Sequence, residues 1–155
     1  MRQPKLFNCY SCESLRSRYR ANAGLALHLS LLHFGAAMIL LTNNPRADEI
    51  RINGNQVIID FREIALVEVI TSARDMIHRG HKLLSAPLSG SVKPNETPFK
   101  SILLSSETAA LDMQGLAVIE SALNIIRSFP ALQWNYTDEI LHDFMEIDIK
   151  LMSRT

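Results

Sequence analysis

Beyond residue 12 the sequence contains no cysteine, and the two it has form a lone Cys9-Tyr10-Ser11-Cys12. A single CxxC with no second pair and no βαβ setting around it is incidental rather than a redox or metal motif. No net charge is present either, since 16 basic residues balance 16 acidic ones. The glycine spacing of a phosphate loop or of a dinucleotide-binding turn is missing, as is the elbow that marks a serine nucleophile. No apolar run is long enough to span a bilayer: Gly24 to Ala37 is short and is interrupted by His28, Ser30 and His33. These absences exclude a disulfide-stapled scaffold, a motif-bearing nucleotide enzyme and a membrane span.

What remains is a chain of 155 residues with 47% hydrophobic and 21% charged side chains, which is globular usage. One domain of that size buries roughly two thirds of the surface its unfolded chain exposes, so it folds without a metal or a disulfide. The charge is unevenly spread. Residues 1–37 hold Arg2, Lys5, Arg16, Arg18 and Arg20 against Glu13, a balance of five basic to one acidic, and the rest of the chain is correspondingly acidic. An acidic body lacks the clustered Lys and Arg that phosphate backbones require, so nucleic acid is not an expected partner.

Residues 1–37 read as an N-terminal extension and residues 38–155 as a single α/β domain. Three readings fit the extension: a start assigned too far upstream with Met38 the true initiator, a disordered or helical leader, and a cleaved signal. The first is preferred, because Met38-Ile39-Leu40-Leu41 followed by Thr42-Asn43-Asn44-Pro45 is a short buried strand stopped by turn residues. Asn53-Gly54 is a candidate hairpin turn, and the β-branched run after it predicts a strand near 56–61. Leu66, Val69, Ile70, Ala73 and Ile77 recur at helical spacing between about 64 and 79, with His78 and Arg79 in the last turn and Gly80 as a left-handed stop.

Lys82 to Ala86 and Ser101 to Ser105 read as further short strands. A helix is expected from about Asp112, its N-cap, to Phe129, with Leu116, Ile119, Leu123 and Ile126 on one stripe. A last helix capped by Thr137 should bury Ile140, Phe144, Ile147 and Leu151. Trp134 and Tyr136 are placed in the turn between these two helices. Alternating strands and helices predict an α/β fold: a small, mostly parallel sheet of about four strands packed by helices. The polarity of the strands around residues 86–101 stays open, since that connection lacks the helix of a parallel crossover.

Ligands of open sheets bind where loops diverge beyond the carboxyl ends of strands. Three loops qualify: Thr42 to Pro45, Ala86 to Lys100, and Ser105 to Thr108. The middle one is long for a connection. Lys93 and Thr97 each precede a proline and are pushed toward extended backbone, while Pro94 and Pro98 fix φ. A loop stiffened in this way can hold an array of polar groups. Thr42, Asn43, Asn44, Ser89, Gly90, Ser91, Lys93, Asn95, Glu96, Thr97 and Lys100 are therefore the candidate binding residues. Lysines and amides suit a carboxylate or phosphate, and Glu96 an amine, so a small anionic or zwitterionic ligand is expected. The plainer alternative is that the polar residues only solvate a long connection.

His78 and His81 lie three apart, but the second falls beyond the helix stop and no cysteine completes a metal set. Neither a metal nor a cofactor is expected.

The strings Leu41-Thr42-Asn43-Asn44-Pro45, Ala73-Arg74-Asp75-Met76-Ile77-His78-Arg79-Gly80-His81-Lys82-Leu83-Leu84 and Pro87 to Ser101 (PLSGSVKPNETPFKS) together resemble the GrdX family, over roughly Met38 to Ile126. That resemblance implies a small cytoplasmic bacterial protein, commonly encoded beside the glycine, sarcosine and betaine reductase components of amino-acid fermentation. It implies no catalytic residues. Only the Ser89 to Ser101 loop and the Thr42 to Pro45 turn carry over, and the extension before Met38 departs from the family's usual start. Two functions of different classes follow. One is an accessory protein binding a reductase component or a small amino-acid-like ligand; the other is a small enzyme acting on an amino-acid-like or phosphorylated metabolite, with Lys93, Glu96 or His81 supplying acid-base chemistry.

Overall fold

The computed structural model describes residues 37–52, 57–90, 92–129 and 135–153. Four strands and three helices follow one another as β1 (Met38–Thr42), a 3₁₀ turn (Ala47–Glu49), β2 (Val57–Phe61), α1 (Leu66–His78), β3 (His81–Leu83), β4 (Ser101–Thr108), α2 (Met113–Ser128) and α3 (Asp138–Met152). The fold is α/β as expected, but the sheet is mixed rather than mostly parallel. Its order is β2-β1-β4-β3, with β1 parallel to β2 and antiparallel to β4, and β3 antiparallel to β4. The reason lies in the connection after β3. With no helix in it to carry the chain back across the sheet, β4 must run in the opposite direction, and it inserts between β3 and β1.

Both faces of the sheet are covered, which explains why the central strands read as unbroken apolar runs. Leu41 lies opposite Ile102 and Ile39 opposite Leu104. These residues face α1 and α2, packing with Val69, Ile70, Ala73, Ile77, Ile119, Leu123 and Ile126. Leu40 and its partner Leu103 point the other way, and with Met38 they meet Ile149 and Met152 of α3. The buried residues of α3 are Met145, Asp148, Ile149 and Met152, whereas Ile140 and Ile147 are exposed. The helix is thus rotated from the expected stripe. Apolar residues occur almost all round it, and the 145/148/149/152 face fits the sheet.

The helix ends follow local chemistry. Gly80 adopts φ +98° and its amide donates to Ile77 O at 2.9 Å, closing α1. Asp112 caps α2 by accepting from Gly115 N at 2.9 Å, and its other oxygen accepts from Leu83 N at 3.1 Å. Those two amides hold its carboxyl below the usual range. One side chain therefore ties α2 to β3. Thr137 caps α3 through Ile140 N. Tyr136 stacks obliquely on Phe144 with centroids 5.2 Å apart, while Asn53, Gly54 and Trp134 lie outside the described residues.

Candidate functional site

Because β4 runs against β1, its first residue lies beside the last residue of β1: Thr42 pairs with Ser101. The turn after β1 and the long loop before β4 thus meet at one edge of the sheet. The loop after β2 joins them, with Arg62 N donating to Thr42 O at 2.8 Å. The Ser105 to Thr108 segment does not. It is the end of β4, at the opposite side of the sheet, where Ser106 Oγ donates to Ala37 O and His81 contacts Ser105 O through Nδ1.

Asn43 is the clasp of this edge. Its side-chain amide donates to Pro98 O at 2.8 Å and Ile64 O at 2.9 Å, and its Oδ1 accepts from Lys100 N at 2.7 Å. A buried side chain so fully used organises three loops at once. Asn44 reaches across to α3, donating to Met145 O and to Asp148 Oδ2, both at 3.0 Å. Thr42 Oγ1 bonds Ser101 Oγ at 2.7 Å and accepts from Asn44 N at 2.9 Å. Thr42, Asn43 and Asn44 are therefore engaged with the protein itself and shape the edge from within.

The centre of this network is Asp148, 4% exposed. Its carboxylate accepts from Asn44 Nδ2, from Ser101 N at 3.0 Å and from Ser101 Oγ at 2.6 Å. Sequence reading passed over it. The signal that could have found it is one acid inside the spacing Met145, Asp148, Ile149, Met152, which is an apolar face at i, i+3, i+4 and i+7.

The Ala86 to Lys100 loop is pinned on several sides. Asn95 sits in the left-handed region at φ 65°, and its Nδ2 donates to Ile126 O at 3.1 Å, at the end of α2. Asparagine tolerates that backbone and suits such a turn. Tyr136 Oη donates to Glu96 O at 3.0 Å, and Thr97 Oγ1 accepts from Phe99 N at 3.2 Å. Phe99 is fully buried and anchors the loop in the core. Ser85 Oγ accepts from Leu103 N at 2.8 Å where β3 has ended.

Beneath this loop lies a cavity of about 30 Å³, room for about two water molecules. Ser89, Lys93, Asn95, Thr97 and Lys100 line it, facing Asp148 and the apolar Leu66, Phe99 and Phe144. Lys100 is 8% exposed. Burial holds its amine below the usual lysine range, and the negative charge of Asp148 only partly opposes this. Lys93 is 75% exposed and pairs with Glu96 at 3.5 Å, an exposed contact of small energy. Gly90 is exposed, with open space where a Cβ would stand. Ser91 lies outside the described residues.

The geometry gathers Ser89, Lys93, Asn95, Thr97 and Lys100 around one cavity and Thr42, Asn43 and Asn44 behind it. It does not bring His81 there, so Lys93, Glu96 and His81 form no common acid-base set. Among the described residues no group of three histidine, cysteine or carboxylate side chains could hold a metal, and no helix is long and apolar enough to cross a membrane. A family model described as GrdX-like protein matches residues 39–155. No curated protein and no solved structure matches the chain.

Proposed function

The chain belongs to the GrdX-like protein family, and from that membership we propose that it is a cytoplasmic accessory protein of glycine, sarcosine or betaine reductase systems. It binds a reductase component or a small anionic or zwitterionic ligand through the polar edge formed by the Thr42 to Pro45 turn and the Ser89 to Lys100 loop. The observation that carries this reading is the cavity beneath the loop, which sets a buried amine, Lys100, and a buried carboxylate, Asp148, in one lining. A small polar head group entering there meets the Lys100 amine and the side chains of Ser89, Asn95 and Thr97 in the same lining.

The size of the cavity supports a small head group rather than a nucleotide. The loop above it, with the exposed Lys93–Glu96 pair at the cavity's rim, suits a protein surface as the second contact. The test is to pass purified reductase components over the immobilised full-length chain, with and without glycine, sarcosine or betaine. Retention of a component, or a rise in melting temperature with one of the amino-acid ligands, supports the reading. Neither retention nor a shift at any concentration up to millimolar overturns it.

A further inference from the structure

Lys100 is placed with unusual rigidity for a lysine. Its amide donates to Asn43 Oδ1, its carbonyl accepts from Asn43 N at 3.3 Å, and the preceding Phe99 is locked in the core. The residue is buried to 8% exposure, and among the described residues its hydrogen bonds are those of its backbone alone. Asp148 shares the cavity, but both its oxygens are already engaged by Asn44 and Ser101. An amine taken out of water without acceptors is favoured in its neutral form, and a neutral amine is a nucleophile. The cavity in front of it is small and largely apolar, and it is lined also by the exposed Lys93 and Ile147, which give it a way to the surface.

From this geometry we propose that Lys100 captures a small, unhindered aldehyde or 2-oxo acid as an imine. The amine lone pair forms a bond to the carbonyl carbon as the C–O π pair moves to oxygen, and a proton passes from nitrogen to that oxygen. The resulting carbinolamine loses hydroxide together with one proton, as water, leaving a carbon–nitrogen double bond. Water reverses the sequence. No oxidant or reductant is needed, and the negative charge of Asp148 stabilises the protonated imine. This goes beyond the accessory reading, because a non-covalent ligand would bind without it.

The test uses the full chain at neutral pH with substoichiometric glyoxylate and cyanoborohydride, which reduces an imine to a stable carboxymethyl group. Mass spectrometry of the intact chain and of its peptides then locates the label. The expected result is one label, at residue 100, forming at least about tenfold faster than at Lys82, Lys93 or Lys150, with the preference widening as the pH is lowered. Lys100→Met cannot condense, so it loses the label while circular dichroism confirms the fold; Lys100→Arg, whose guanidinium does not condense either, is the second variant. Labelling spread over the exposed lysines with none preferred at residue 100, or an unlabelled Lys100, overturns the proposal. Ligand shifts that survive in the absence of labelling would leave the accessory reading standing on its own.

Discussion

Replacing Asp148 by alanine removes the acceptor of three donors at the sheet edge: Asn44 Nδ2, Ser101 N and Ser101 Oγ. Their fates differ. The Asn44 amide keeps its bond to Met145 O, and the Ser101 hydroxyl can turn toward Thr42 Oγ1. The backbone N–H of Ser101 loses its acceptor at a fully buried residue. An orphaned buried donor costs about 1–3 kcal/mol, and hydrogen bonds to a charged acceptor contribute about 1.5–3 kcal/mol each before coupling is allowed for. With the small void left by the carboxylate, the expected destabilisation is about 3–5 kcal/mol. Asp148→Asn keeps one carbonyl acceptor and should cost about 1–3 kcal/mol.

Urea unfolding followed by circular dichroism measures both, with the slope checked for constancy so that the midpoint reports stability alone. The alanine variant should melt about 10–20 °C lower. A double-mutant cycle with Ser101→Ala should return a coupling of about 1–3 kcal/mol, since the two residues share two bonds. A loss below about 1 kcal/mol for Asp148→Ala would refute the reasoning, because three buried donors cannot lose their acceptor so cheaply unless the edge opens to water.

Three further outcomes are expected. Lys100→Met removes a buried amine in favour of an apolar chain of similar length, and should stabilise the protein by about 1–2 kcal/mol at neutral pH. Burial lowers the folded-state value of Lys100 below its unfolded value, so between the two the unfolded chain holds the extra proton. Wild-type stability contributed by this group therefore rises with pH through that window, and melting curves near pH 7 and near pH 10 should show the advantage of the methionine variant shrinking at the higher pH. Gly80→Ala should cost about 1–3 kcal/mol by urea unfolding, since a Cβ at φ +98° would stand 2.5 Å from Ala109 O. Lys93→Ala should change stability by no more than about 0.5 kcal/mol in the same assay, since its ion pair with Glu96 is exposed.

Much of the fold could be read from residues whose chemistry is local. Gly80 stops α1 because a left-handed residue is needed there, and Asp112 and Thr137 cap α2 and α3 where short polar side chains precede apolar stripes. The meeting of the Thr42 to Pro45 turn with the long loop was also legible, although for an incomplete reason: the rule for carboxyl ends of parallel strands holds for β1 and β3, while β4 contributes its amino end. Direction was not legible, because a helix-free connection between β3 and β4 fixes it only once the strands pair. The buried face of α3 was not legible either. Ile140, Phe144, Ile147 and Leu151 match the helical period as well as Met145, Ile149 and Met152 do, and only the hydrogen bonds of Asp148 to Asn44 and Ser101 decide between them. The burial of Lys100, a candidate binding residue of the loop, follows from the Asn43 clasp, a contact across 57 residues that no local pattern encodes.

The most direct test of the binding edge compares wild type and Lys100→Met by thermal shift against glycine, sarcosine, betaine and acetyl phosphate, using the full chain. A ligand at about a hundred times its dissociation constant adds about 2.7 kcal/mol, several degrees for a domain of this size. The account predicts a shift with at least one of these ligands in the wild type and its loss in Lys100→Met, even though that variant starts from a higher melting temperature. An equal shift in both proteins, or none in the wild type, would contradict the placement of the site beneath the Ser89 to Lys100 loop.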